Sequence, residues 1–86
     1  MSKLEKLFEI PDELKNNTPN VTISGFDKLL IENYKTVLDY QDFFMRIKMQ
    51  TGLININGFN LQMTEMTKDD LIITGIIESV DFERFT

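Results

Sequence analysis

The chain contains no cysteine, no histidine and no tryptophan. Without cysteine there is no disulfide framework, no thiolate zinc site and no all-cysteine iron–sulfur cluster. Without histidine there is no imidazole ligand and no Ser–His catalytic pair. Positive charge is also scarce: 9 Lys and Arg stand against 14 Asp and Glu, a formal net charge of −5. Phosphate backbones and anionic membrane surfaces recruit Lys and Arg, so both are disfavoured as partners. Long apolar runs are missing too, and none approaches the ~20 residues of a membrane-spanning helix. The opening Met1-Ser2-Lys3-Leu4-Glu5-Lys6 mixes charges and has no apolar secretion segment. The expectation is a soluble, cytoplasmic chain, which the lack of cysteine suits. On that reading the N-x-T triplets at Asn16 and Asn20 are chance matches to a glycosylation signal.

What remains is an ordinary globular composition. The 86 residues are enough for one domain, and a hydrophobic fraction of 42% argues against a disordered chain. Leu4, Leu7 and Phe8 recur at helical spacing behind a Ser2/Glu5 capping box, which predicts a short N-terminal helix. Pro11 interrupts it and can open a second helical turn, and Asn16-Asn17-Thr18-Pro19-Asn20 reads as a polar connector. Residues 1–20 are therefore assigned to a helical segment and connector, and residues 21–86 to a β domain, the whole being a single domain.

From Val21 the period becomes two. Val21 and Ile23 alternate with Thr22 and Ser24, and Phe43, Met45, Ile47 and Met49 form one face of a strand whose other face is Phe44, Arg46, Lys48 and Gln50. Ile54-Ile56-Gly58 and Leu61-Met63-Glu65 repeat the pattern. Leu71 to Glu83 is too long for one flat strand, and Gly75 predicts a bulge or bend in it. With turns at Gly25-Phe26-Asp27, Thr51-Gly52, Asn57-Gly58 and Lys68-Asp69-Asp70, about seven short antiparallel strands fit a mainly β fold. Val21-Thr22-Ile23-Ser24-Gly25-Phe26 also matches Ile54-Asn55-Ile56-Asn57-Gly58-Phe59 at constant offset. A two-fold duplication whose halves pair or stack is one reading; the common grammar of strand, glycine turn and strand is the other.

Few residues invite chemistry. The acidic pairs Asp39/Asp42, Asp69/Asp70 and Asp81/Glu83 could serve acid–base work or a hard cation, but turn and surface roles account for them better. Ser24 and Ser79 lack a nucleophile frame and any histidine base, and the glycines form no phosphate loop. Arg46 and Lys48 beside Phe43 and Phe44 resemble a base-stacking face, which two cations on an acidic chain support poorly. Met45, Met49, Met63 and Met66 suit core filling more than a partner surface. Leu29-Leu30-Ile31 and Val37-Leu38 instead place apolar residues on both faces of their strands, which points to an interface or self-association. The expectation is no catalytic, cofactor or metal site, hence no enzyme, and a candidate protein interface at Leu30, Leu38, Tyr40 and Phe44.

The block from Ile10 to Phe82 resembles the YabP/YqfC family of endospore-former sporulation proteins, and within it the YqfC-like branch. The resemblance is carried by Pro19-Asn20-Val21-Thr22-Ile23-Ser24-Gly25, Leu30-Ile31-Glu32-Asn33-Tyr34, Val37-Leu38-Asp39-Tyr40 and Arg46-Ile47-Lys48. It continues through Thr51-Gly52-Leu53-Ile54-Asn55-Ile56-Asn57-Gly58, Leu61-Gln62-Met63 and Leu71-Ile72-Ile73-Thr74-Gly75-Ile76-Ile77. Tyr34 departs from the histidine that often follows I-E-N in the family. The resemblance implies a non-enzymatic role in endospore formation, in the mother-cell compartment, and transfers no site residues. It suits an assembly or adaptor factor with a protein partner, such as a membrane-bound sporulation protein, without nucleic acid or membrane insertion of its own. A self-assembling homo-oligomer of the spore layers is the alternative.

Overall fold

The computed structural model describes residues 18–85 of the chain. The helical segment expected near the N-terminus, with most of its connector, lies outside the described residues. The fold is mainly β, as the alternation predicts. Six strands follow in order: β1 Asn20–Ser24, β2 Lys28–Glu32, β3 Thr36–Tyr40, β4 Phe44–Lys48, β5 Gly52–Met66 and β6 Asp70–Arg84. All neighbours are antiparallel, in the sheet order β1-β2-β6-β5-β4-β3. The count falls to six because Ile54–Gly58 and Leu61–Glu65 are two halves of β5, not separate strands.

The two 15-residue strands β5 and β6 shape the molecule. Their ladder is regular from Gly52↔Arg84 to Asn57↔Ser79 and then slips near Asn57/Gly58, Phe59/Gln62 and Met63/Glu65. Extra residues at such bulges bend a strand pair. Gly75, at φ 137°, and Asn60, at φ 52°, supply backbone conformations that most side chains resist. β2 pairs only with Lys28↔Thr74 to Glu32↔Asp70, the first part of β6, while β4 pairs only with the first part of β5. The bend therefore divides one sheet into two layers. One holds β1, β2, the start of β6 and the end of β5. The other holds the end of β6, the start of β5, β4 and β3.

The inward faces make one core. Leu29, Ile31, Leu71 and Ile73 come from the first layer, Met45, Ile47, Ile54 and Ile56 from the second, and Leu61 from the bend. Each alternates with an outward residue, as a half-buried strand must. The chain crosses between layers at Asn33, where φ is 61°, a region asparagine visits more readily than other residues. The Tyr34 amide then donates to Asp69 O at 3.1 Å in one layer, and the Lys35 amide to Lys48 O at 2.7 Å in the other. The two copies of the sequence repeat do not pair in the sheet, because β2 and β6 lie between β1 and β5. The first copy ends in a hairpin turn at Gly25, and the second runs on through the bend.

Gly58 tests this arrangement. It is buried in the ladder, and a Cβ there would overlap the carbonyl oxygen of Ile76. Gly58→Ala is expected to lower unfolding stability by about 1–3 kcal/mol, the range for overpacking. Urea denaturation checks this, and a smaller change would mean that the bend can shift to accept the methyl group.

Candidate functional site

One member of each acidic pair, Asp39, Asp70 and Glu83, accepts a hydrogen bond on its side chain. In the β5–β6 turn the Asp70 amide donates to Thr67 Oγ1 at 3.0 Å, and the Thr67 amide donates to Asp70 O at 2.8 Å. Asp70 Oδ1 also receives the Asn33 amide at 3.4 Å. Asp39 accepts from Gln41 Nε2 at 3.3 Å, on an exposed edge. Among the described residues no three Asp or Glu side chains gather closely enough to hold a metal ion. No helix among them is long and apolar enough to cross a membrane. Ser79 Oγ takes a hydrogen bond from Asn57 Nδ2 at 3.2 Å.

The outer face of the second layer carries a network that no sequence motif announces. Asn55 is 8% exposed and is the one buried polar residue of the described chain. Its Oδ1 accepts from Arg46 Nε at 2.7 Å, and its Nδ2 donates to Glu83 Oε2 at 2.6 Å. Arg46 Nη2 lies 3.5 Å from the same Glu83 oxygen, and the guanidinium sits 5.8 Å from the centroid of the Phe44 ring. Three neighbouring strands, β4, β5 and β6, are thus joined on their outer side by one amide. The cross-strand register Arg46↔Asn55↔Asp81 was the only available signal, and it needs the pairing to be known. Arg46, the stronger of the two cations on that face, is held in this network.

The four expected interface residues fall in two places. Leu30 is half-buried on the outer face of the first layer, opposite Thr22 and Ile72. Leu38, Tyr40 and Phe44 belong to the β3–β4 hairpin on the other layer. Leu38 lies in a bulge of the edge strand β3 and is 52% exposed. Tyr40 is 53% exposed, and its hydroxyl oxygen accepts the Met63 amide at 3.1 Å. With the Leu61 amide donating to Asp42 O at 2.8 Å, this fastens the hairpin to the end of β5 and shuts one side of the two-layer structure. Phe44 is half-buried beneath Arg46.

The opposite side stays open. There Pro19 and Val21 at β1, Met49, Gly52 and Ile54 around the β4–β5 turn, and Phe82 and Arg84 at the end of β6 line a cleft of about 230 Å³. Phe82 lies opposite core residue Ile54, and so on the inward face, yet it is 66% exposed. Sequence periodicity cannot show that the sheet stops short of covering Phe82. Thr51 and Glu83, with Arg84, also border the cleft, so apolar walls that can take up an apolar group meet a polar rim.

With this geometry in place, comparison with known proteins gives a consistent answer. The family model described as the YabP family matches residues 15–85. The chain belongs to the YabP family. This YabP-family chain is also 24% identical over 79 residues to a protein of Bacillus subtilis (strain 168) named "Uncharacterized protein YqfC". That match covers 92% of the chain and 85% of the relative. No solved structure is significantly similar. Among the tracts that resemble the YabP family, Ile31-Glu32-Asn33 has a definite physical role. Ile31 fills the core, Glu32 ends the β2 ladder, and Asn33 turns the chain into the other layer.

The polar network yields a graded expectation. Asn55→Ala leaves Arg46 and Glu83 without their shared partner and is expected to cost about 1–3 kcal/mol. Glu83→Gln breaks only an exposed ion pair and is expected to cost about 0–1 kcal/mol. Paired urea titrations check the order, and equal losses would show that the charge, not the amide, joins the strands.

Proposed function

We propose that this chain is a non-catalytic assembly or adaptor protein of endospore formation, acting in the mother-cell compartment on a protein partner such as a membrane-bound sporulation protein. Family membership supports the sporulation setting. The observation that carries the adaptor reading is the unclosed sheet. A strand edge with unpaired amides and carbonyls can receive another strand through main-chain hydrogen bonds, with side-chain pockets adding selectivity. Leu30, Leu38, Tyr40 and Phe44 are the side chains proposed to bear on a partner, the last three from one hairpin.

A second reading is a self-assembling structural protein of the spore layers. One feature favours it. The edge strand β1, Asn20-Val21-Thr22-Ile23-Ser24, has no charged residue and pairs with β2 without a slip. Edges of this kind lack the usual guard against pairing between copies. An adaptor stops at a monomer or a small closed oligomer, whereas edge-to-edge pairing builds a polymer.

Ile23→Lys places a charge on that edge at an exposed position and is expected to leave stability within about 0.5 kcal/mol. It should lower sporulation and the recovery of a cross-linked partner from sporulating cells. Recovery of one partner in near-equal amount with the unaltered chain supports the adaptor. Large assemblies of the chain alone, broken up by Ile23→Lys, support the structural polymer. Unchanged sporulation with Ile23→Lys and with Leu38→Ala would overturn both.

A further inference from the structure

We infer that the open side of the structure is a binding site for an extended polypeptide segment of alternating apolar and basic residues, added as a strand along the second half of β6. This deepens the adaptor reading and rests on it for its biological setting, but its evidence is local. β6 pairs with β2 only as far as Thr74, and the Ile77 amide donates to Phe26 O at 3.0 Å just beyond. From Glu78 to Arg84 its remaining edge has no strand beside it among the described residues. β1, across the cleft, is a free edge as well. An incoming strand would find unpaired backbone groups along β6 and an apolar gap beneath.

The side chains along that edge set a pattern. Register places Val80 and Phe82 inward, opposite Ile56 and Ile54, and Ser79, Asp81 and Glu83 outward, opposite Asn57, Asn55 and Leu53. A strand laid alongside presents its own side chains alternately to the same two faces. Its inward residues would cover Phe82 and fill the cleft against Val21 and Met49. At about 230 Å³ this cleft exceeds the ~150 Å³ cavity that accepts a benzene ring, so one bulky apolar side chain fits. Its outward residues would lie beside Asp81, which is in no ion pair within the described chain, and beside Glu83. Opposite charges across a strand pair are favourable and like charges are not. Arg84, the next inward position, ends the apolar stretch.

Charge also decides between occupants. A second copy pairing its β6 with this one across a two-fold axis would bring Asp81 and Glu83 of both chains together. Residues 10–17 of the same chain, Ile10-Pro11-Asp12-Glu13-Leu14-Lys15-Asn16-Asn17, carry two acids, and a proline that a strand ladder disfavours. A partner segment carrying lysine or arginine at every second position has neither fault.

The test uses the full chain and three end-blocked synthetic peptides. One is Lys-Val-Lys-Phe-Lys-Val-Lys, one has the same composition with its apolar residues grouped together, and one replaces lysine with glutamate. Fluorescence anisotropy gives affinity, and amide chemical shifts locate binding. The alternating lysine peptide should bind about tenfold or more tightly than either control, and Phe82→Ser and Asp81→Lys should each weaken it about tenfold. Met66→Ser, exposed at the far end of β5 and outside every proposed contact, should leave binding unchanged. Shifts should concentrate in residues 78–84 and 20–24. Equal binding of the grouped and alternating peptides, or insensitivity to Phe82→Ser, would overturn the inference. So would slow amide exchange at 78–84 in the free chain that matches the core, because the edge would then already be occupied by residues 1–17 or by a second copy. Peptide binding without any partner in sporulating cells would sink the adaptor reading and leave the site standing. A captured partner that still binds the Phe82→Ser and Asp81→Lys chains would do the reverse.

Discussion

A β-sheet with one apolar face must have that face covered, and the described chain contains no helix to cover it. Everything else in the structure follows from this constraint. The sheet covers itself, which requires its two longest strands to bend sharply in step. The bulges near Gly58 and the unusual backbone at Gly75 and Asn60 permit the bend. Gly58 adds close approach, since its ladder neighbour Ile76 leaves no room for a side chain. Removing the bend would expose Leu29, Ile31, Ile47 and Ile56 together, at about 1.5–3 kcal/mol each.

Folding one sheet into two layers creates two seams, and they are treated differently. The seam beside β3 is fastened by the Tyr40 hydroxyl and the Asp42 carbonyl. The seam beside β1 is bonded near the bend, where the Gly75 and Ile77 amides donate to Asp27 O and Phe26 O, and farther along it holds the apolar cleft. A small domain has little surplus stability with which to leave an inward phenylalanine wet. On the outer side the same region is stiffened by Asn55, whose amide satisfies Arg46 and Glu83 at once. The end of β6 is therefore held firmly from one side and left free on the other, which suits a strand that receives a partner better than one that frays.

Period-two alternation was readable in the sequence and locates nearly every inward residue, because burial on one face imposes that pattern directly. The bend at Gly75 was legible for the same reason: the apolar run was too long for a flat strand. Fusion of Ile54–Gly58 with Leu61–Glu65 was not, since Asn57-Gly58 is also good turn chemistry and only the pairing with β6 decides between a turn and a bulge. The repeat between residues 21–26 and 54–59 shows this well. Similar sequences give a hairpin at Gly25 and a continuous bent strand at Gly58, because the second is clamped between β4 and β6. Of the interface candidates, Leu38 was legible as an exposed apolar residue. The cleft at Phe82 was not, because alternation marks which way a side chain points and says nothing of whether another strand lies above it.

That distinction bears on function. A catalytic site would need polar groups converging on a shielded point. Three polar groups join strands instead: Asn55 across the outer face, Asn33 at the layer crossing, and Asp70 in the β5–β6 turn. What is left unsatisfied is of another kind, namely a length of backbone edge and the apolar ring beside it. The described residues supply six strands, and one more laid along β6 would meet both needs together, with the acidic outward positions of β6 setting which strand is proposed to fit.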